Sequence, residues 1–125
     1  MVGTTNRDVY VDNSGKIGYT SSSKRYKENI SDMTNVDWLY ELRPVNFTYK
    51  SDELKKTQYG LIAEEVEMII PEFVSYDAEG NPETVSYSSL ISPLLKSLQE
   101  QHEMIRLLQQ RIEELEQKLK TDTDY

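Results

Sequence analysis

The stretch ISPLLKSLQEQHEMIRLLQQRIEELEQKL, residues 91–119, decides the fold of this chain. With Ile91 as heptad position a, the a positions are Ile91, Leu98, Ile105, Ile112 and Leu119. The d positions are Leu94, Gln101, Leu108 and Leu115. Apolar residues at a 3.5-residue period over four heptads predict a long helix that pairs in a coiled coil. At 1.5 Å per residue its seam would run about 43 Å. That is more than the rest of a chain this short can cover, so the seam needs other chains. Ile at a with Leu at d favours dimers in the simple rule, whereas Leu95 at e and Met104 at g broaden the apolar face toward more strands. Gln101 would form a polar layer that fixes register, and Arg111 at g would face Glu116 at e between parallel chains. The pattern leaves dimer and trimer open. Ser88 or Ser89 is the expected N-cap, and Pro93 sits where a helix start tolerates proline. Residues 121–125 carry no pattern and are expected to fray. His102, the single histidine, falls at a surface e position.

Upstream, the signals change from period 3.5 to short alternating runs. Val9-Tyr10-Val11 and Ile17-Gly18-Tyr19 flank the turn cluster Asp12-Asn13-Ser14-Gly15, which predicts a hairpin too small to fold alone. A helix is expected over residues 36–42, from Val36 and Leu39 to the stop at Pro44. Val45 to Tyr49 and Tyr59 to Ala63 read as strands, with a polar loop over residues 51–57. Glu64 to Ile70 reads as a short helix ended by Pro71. Phe73 to Tyr76 and Thr84 to Tyr87 read as a hairpin around Asp77-Ala78-Glu79-Gly80-Asn81-Pro82. The fold class is therefore α+β: a small mixed core followed by a long C-terminal helix.

The chain has 125 residues, a net charge of -8 and no cysteine, and its mean hydropathy is -0.68. Once the helix and the N-terminal hairpin are set aside, roughly 70 residues remain for a core, a size that usually needs a staple. Disulfides and thiolate metal sites are excluded, which leaves oligomerisation. The acidic balance argues against nucleic acid or an anionic membrane surface as partner. No apolar run approaches the roughly 18 residues of a membrane span, and no secretory leader is read at Met1-Val2-Gly3. No phosphate loop, dinucleotide fingerprint or Gly-x-Ser-x-Gly elbow is present. Glu64, Glu65 and Glu67 read as a solvated helix face, and Trp38 and Tyr40 as core or interface aromatics. No metal site and no cofactor are expected.

One cluster carries chemistry: Ser22-Ser23-Lys24-Arg25-Tyr26-Lys27-Glu28-Asn29-Ile30. Ser22 precedes Lys27 by five positions. A serine and a lysine form a nucleophilic pair when the amine is neutral and accepts the hydroxyl proton. A lysine ordinarily titrates near 10.4, and a working base needs roughly 7–8, so burial or neighbouring cations must supply about 4 kcal/mol. Lys24 and Arg25 are such cations; burial would come from assembly. On spacing alone a solvated basic loop is the commoner reading.

The same cluster resembles the signature Ser-Asp-x-Arg-x-Lys-x-Asn-Ile of the C-terminal intramolecular chaperone domains. These occur on phage tailspikes, endosialidases and neck-appendage fibres, and on some membrane-tethered transcription factors. Further matches follow in order over about residues 20–115: Leu39 to Tyr49, Gly60 to Glu67 with Pro71 beyond, and Val85-Ser86-Tyr87-Ser88-Ser89-Leu90. The resemblance implies a homotrimer whose coiled coil helps an upstream β-rich fibre to fold and which then cuts itself off. It implies Ser22 as nucleophile, Lys27 as its base and the Ser21–Ser22 bond as the one cleaved. Asn29, Arg25 and Glu64 are the candidate orienting residues. Two positions depart from the pattern: Ser23 stands where Asp is usual, and Glu64 where Gln is usual. A missing carboxylate changes the charge balance around Lys27, and a Glu64 buried beside Lys27 would hold the amine charged.

The domain reading that follows is residues 1–21 as the end of the passenger and 22–125 as the chaperone, with a core over 22–88, a stalk over 89–120 and a tail over 121–125. The expected partners are two further copies of the chain and its own upstream fibre. The expected setting is the host cytoplasm during virion assembly, with the fibre retained on the virion. The alternatives are a trimerisation module of a viral fibre that does not cleave, and an adaptor whose coiled coil binds another protein.

Overall fold

The computed structural model describes Gly3 and residues 5–123. The chain divides into two compact units, Met1–Asp32 and Met33–Tyr125. Residues 22–32, read from sequence as the start of the chaperone, are grouped with the N-terminal hairpin.

In the first unit β1 (Tyr10–Val11) pairs antiparallel with β2 (Ile17–Gly18), in the register Tyr10↔Gly18 and Val11↔Ile17. Asp12 builds the turn. Its Oδ1 accepts the N–H groups of Ser14 and Lys16, both at 2.9 Å, and the Ser14 hydroxyl at 2.6 Å. These bonds hold the Asp12 carboxyl below its ordinary value, the Ser14 hydroxyl contributing most. Gly15 closes the turn at a φ of 82°, a conformation open to glycine at little cost. The Arg7 guanidinium lies 4.2 Å from the centre of the Tyr19 ring. Val9, Val11 and Ile17 stay exposed, as expected of a hairpin with so little apolar surface. A 3₁₀ turn, Lys24–Tyr26, follows.

The second unit opens with a 3₁₀ helix, Asp37–Glu41, where an α-helix over 36–42 was predicted. The difference is one of room. Asn35 sits at a φ of +55°, and Pro44 drives Arg43 away from helical angles. The few residues between close i→i+3 bonds, Leu39 N–H to the Val36 carbonyl at 3.0 Å and Leu42 N–H to the Leu39 carbonyl at 3.3 Å. β3 (Val45–Phe47) pairs antiparallel with β4 (Gln58–Gly60), with Val45 opposite Gly60. β4 is shorter than read from sequence, because the N–H groups of Glu65 and Val66 both bond the Ile62 carbonyl and start a helix there. That helix, α1 (Ala63–Ile69), ends before Pro71. β5 (Val74–Tyr76) and β6 (Pro82–Val85) form the second hairpin of the unit, irregular between Ser75 and Tyr76. A 3₁₀ turn, Tyr87–Leu90, leads into α2 (Ile91–Thr123).

Among the described residues the buried apolar core is Val36, Val66, Val74 and Leu90. Trp38 meets Phe73 edge-on at 5.4 Å, and Phe47 meets Tyr49 likewise at 5.1 Å. α1 lies against β5 and β6. The fold is thus mixed, with short antiparallel strand pairs and one long C-terminal helix. The expected serine cap is replaced by the 3₁₀ turn, where the hydroxyl of Ser86, just ahead of the turn, and that of Ser89 within it bond each other at 2.7 Å. At the other end the helix continues to Thr123, past the boundary expected at 120. The Thr121 and Thr123 hydroxyls donate back to the carbonyls of Gln117 and Leu119, at 2.9 and 3.1 Å. The rest of the tail, Asp124 and Tyr125, lies outside the described residues. Among those described, no helix is long and apolar enough to cross a membrane.

Candidate functional site

Lys27 Nζ donates to Ser22 Oγ at 2.8 Å. The contact comes from a local chain path. Ser23 is the N-cap of the Lys24–Tyr26 turn and makes no side-chain cap bond. Its carbonyl accepts the Tyr26 N–H at 3.1 Å, and the Lys24 carbonyl accepts the Lys27 N–H at 3.1 Å. The turn reverses the chain, and the backbone of Lys27 then extends, which brings a five-residue separation to side-chain contact. Ahead of it, the Ser23 N–H donates to the Ser21 hydroxyl at 3.1 Å. Ser22 and Lys27 are exposed in the single chain, and Ser23 is half-buried.

The other expected site residues are placed differently. Arg25 stacks over Tyr26, 4.8 Å from its ring centre. Asn29 adopts a φ of 53°, and among the described residues no hydrogen bond joins it to Ser22 or Lys27. Glu64 stands exposed in the first turn of α1, in the second unit. Its neighbour Glu65 takes a defined role instead. Arg43 grips Glu65 with two parallel bonds, Nε to Oε1 at 2.9 Å and Nη2 to Oε2 at 2.6 Å. Hydrogen bonding to Arg43 holds the Glu65 carboxyl below its ordinary value, and hydrogen bonding to Glu65 raises Arg43.

The second feature is the apolar face of α2. Leu90, just ahead of the helix, and Pro93 and Ser97 within it are buried, on the side that meets the Asp37–Glu41 turn. The apolar heptad seam runs beside this face and is left largely uncovered. Ile91, Leu94, Leu98, Ile105, Leu108, Ile112, Leu115 and Leu119 are all at least half exposed. Leu94 also lines a cleft of about 420 Å³ shared with Leu39, Leu42, Val45 and Tyr59. Gln101, expected as the polar layer of the seam, donates from Nε2 to the Tyr40 hydroxyl of its own chain at 2.6 Å. That hydroxyl also pairs with Ser97 Oγ at 3.1 Å. Sequence reasoning placed Tyr40 as an aromatic and missed its hydroxyl as the link between the core and the stalk. The signal present was the four-residue spacing of Ser97 and Gln101, which puts both on one face of the helix.

No curated protein matches this chain. A family model does, from Ser22, the first residue of the chemistry-bearing cluster, to Ser75 in β5; the match does not extend into α2. Residues 22–75 match the Peptidase_S74 family, described as chaperone of endosialidase, which bears out the resemblance to the C-terminal intramolecular chaperone domains.

Proposed function

We propose that this chain is a trimerisation chaperone that helps an upstream fibre to assemble and then releases itself by cutting the Ser21–Ser22 bond. The observation that carries the reading is the 2.8 Å contact of Lys27 Nζ with Ser22 Oγ, at the first residue of the family match. The uncovered apolar seam of α2 supports assembly. Three chain ends held by one coiled coil meet at an effective concentration of roughly millimolar, which offsets the entropy of starting a fibre whose strands pair between chains. Residues 1–21 are then the end of the passenger and 22–125 the chaperone, with 22–88 as its core and 89–120 as its stalk. The setting is virion assembly in a host cell.

The proposed reaction is an intramolecular acyl transfer. With neutral Lys27 as base, the Ser22 hydroxyl gives up its proton as Oγ bonds the Ser21 carbonyl carbon. The carbon–nitrogen bond to Ser22 breaks, and the nitrogen takes the proton from Lys27. Water then hydrolyses the ester, leaving a carboxylate on Ser21 and restoring the Ser22 hydroxyl. Cleavage removes the element that could assist reversal, so the fibre's persistence becomes kinetic.

The exposure of both residues in the single chain favours a second reading, a trimerisation clamp that does not cleave, unless assembly covers them. Intact-mass analysis and light scattering of the chain beside Ser22→Ala separate the two. A trimer that yields a fragment starting at Ser22 only in the native chain establishes self-cleavage. An intact trimer in both reduces the chain to a clamp, and a monomer in both refutes assembly.

A further inference from the structure

Two hydrogen bonds flank the Ser21–Ser22 peptide. On one side the Ser21 Oγ accepts the Ser23 N–H at 3.1 Å. On the other Lys27 Nζ donates to Ser22 Oγ at 2.8 Å. Ser23 is held again through its carbonyl, which accepts the Tyr26 N–H at 3.1 Å.

Covalent geometry gives the first of these bonds a task. Cleavage joins Ser22 Oγ to the Ser21 carbonyl carbon, and only Cβ, Cα and N of Ser22 lie between those atoms. Bond lengths and angles are stiff, so two rotations set the attack distance: φ of Ser22 about N–Cα and χ1 about Cα–Cβ. The Lys27 contact restrains χ1. The ring closed by Ser21 Oγ and the Ser23 N–H passes through the Ser21 carbonyl carbon and through N and Cα of Ser22, so it restrains φ. Attack needs the reacting atoms about 3–3.5 Å apart in a defined orientation. Each bond therefore governs one of the two rotations that reach this geometry.

We propose that the Ser21 hydroxyl is a positioning residue for self-cleavage, holding the backbone rotation of Ser22 that brings its Oγ to the Ser21 carbonyl carbon. The assignment rests on the self-cleavage reading above. Ser21 neither gives nor takes the transferred proton, which passes from Ser22 Oγ to Lys27 Nζ and on to the leaving nitrogen. A γ-hydroxyl is the only requirement at this position, so threonine serves and its isostere valine does not.

The test is the rate at which the Ser22-started fragment appears, by intact mass, from the full chain and from Ser21→Thr, Ser21→Val and Ser21→Ala, each across a pH series. Losing one orienting hydrogen bond is expected to slow the alanine and valine chains about tenfold, with threonine near the native rate. The pH at which the rate is half-maximal should be the same in all four, because the Ser21 hydroxyl bonds the Ser23 N–H and not Lys27. Alanine and valine chains that cleave at the native rate overturn the proposal alone. So does a threonine chain as slow as the valine one, which makes size rather than the hydroxyl the determinant. A native trimer that stays intact overturns the self-cleavage reading and this role with it.

Discussion

The contact between Lys27 and Ser22 asks two different things of one side chain. As it stands, Nζ donates to Oγ, an arrangement a charged ammonium satisfies. Catalysis needs the same nitrogen to accept a proton. Lys27→Arg separates the two demands. Arginine keeps the positive charge and the donors, but it is not deprotonated in proteins. If Lys27 is the base, this variant loses the Ser22-started fragment by about 10²-fold or more, while light scattering still finds the oligomer. Cleavage near the native rate in Lys27→Arg would leave the charge alone as the determinant. The pair was legible in sequence because the resemblance fixed both positions. The Ser21 hydroxyl was not, since a serine among serines carries no signal until the turn at Lys24–Tyr26 determines what its oxygen faces.

At the scale of elements, two contacts stitch α1 and β4 to their neighbours. Tyr87 lays its hydroxyl over β4, where it accepts the Leu61 N–H at 2.9 Å. The space exists because residue 60 is glycine: a Cβ there would stand 2.6 Å from that oxygen. Gly60→Ala is therefore expected to push the ring out and cost about 1–3 kcal/mol, combining a lost hydrogen bond with overpacking. Tyr87→Phe, which removes only the bond, should cost about 1 kcal/mol; urea unfolding monitored by circular dichroism reads both. The Arg43–Glu65 pair gives a pH signature. Its folded-state carboxyl lies below the ordinary value, so its contribution is present at neutral pH and is lost as pH falls through that lowered value. Glu65→Gln should thus differ from the native chain in unfolding midpoint at neutral pH and converge with it in acid. The difference should be small, because the pair is exposed. Strand pairs, α1 and the long helix were readable from alternation, from Pro71 and from heptads. The 3₁₀ helix at Asp37–Glu41 was not, because helical spacing over so few residues does not distinguish i→i+3 from i→i+4 closure. Nor were the Tyr40 hydroxyl and the Arg43 guanidinium as hydrogen-bonding links, since their partners lie tens of residues away in sequence.

For the whole molecule the decisive quantity is what covers α2. In one chain, only its first turns touch the core, and residues 101–123 are exposed throughout. A helix of that length with an uncovered apolar stripe gains little from propensity alone, because tertiary packing supplies most helical stability. Burying each seam leucine or isoleucine contributes about 1.5–3 kcal/mol, and copies of the same chain offer the matching stripe. Ile105, at an a position near mid-helix and 56% exposed, is the place to test this. Ile105→Asp would set one carboxylate per chain into the seam, losing that burial and adding the penalty for burying like charges. The expected outcome is a monomer by light scattering at micromolar concentration, with reduced helicity by circular dichroism. The same sample reads the coupling between assembly and chemistry. If Lys27 becomes a base only when neighbouring chains cover it, the monomer keeps its residues 1–21 attached, and imposing a trimer with a heterologous coiled coil in place of residues 98–119 brings the cut about. A monomer that releases the Ser22-started fragment at the native rate would mean that one chain already holds everything the cleavage needs, and that cutting does not report assembly.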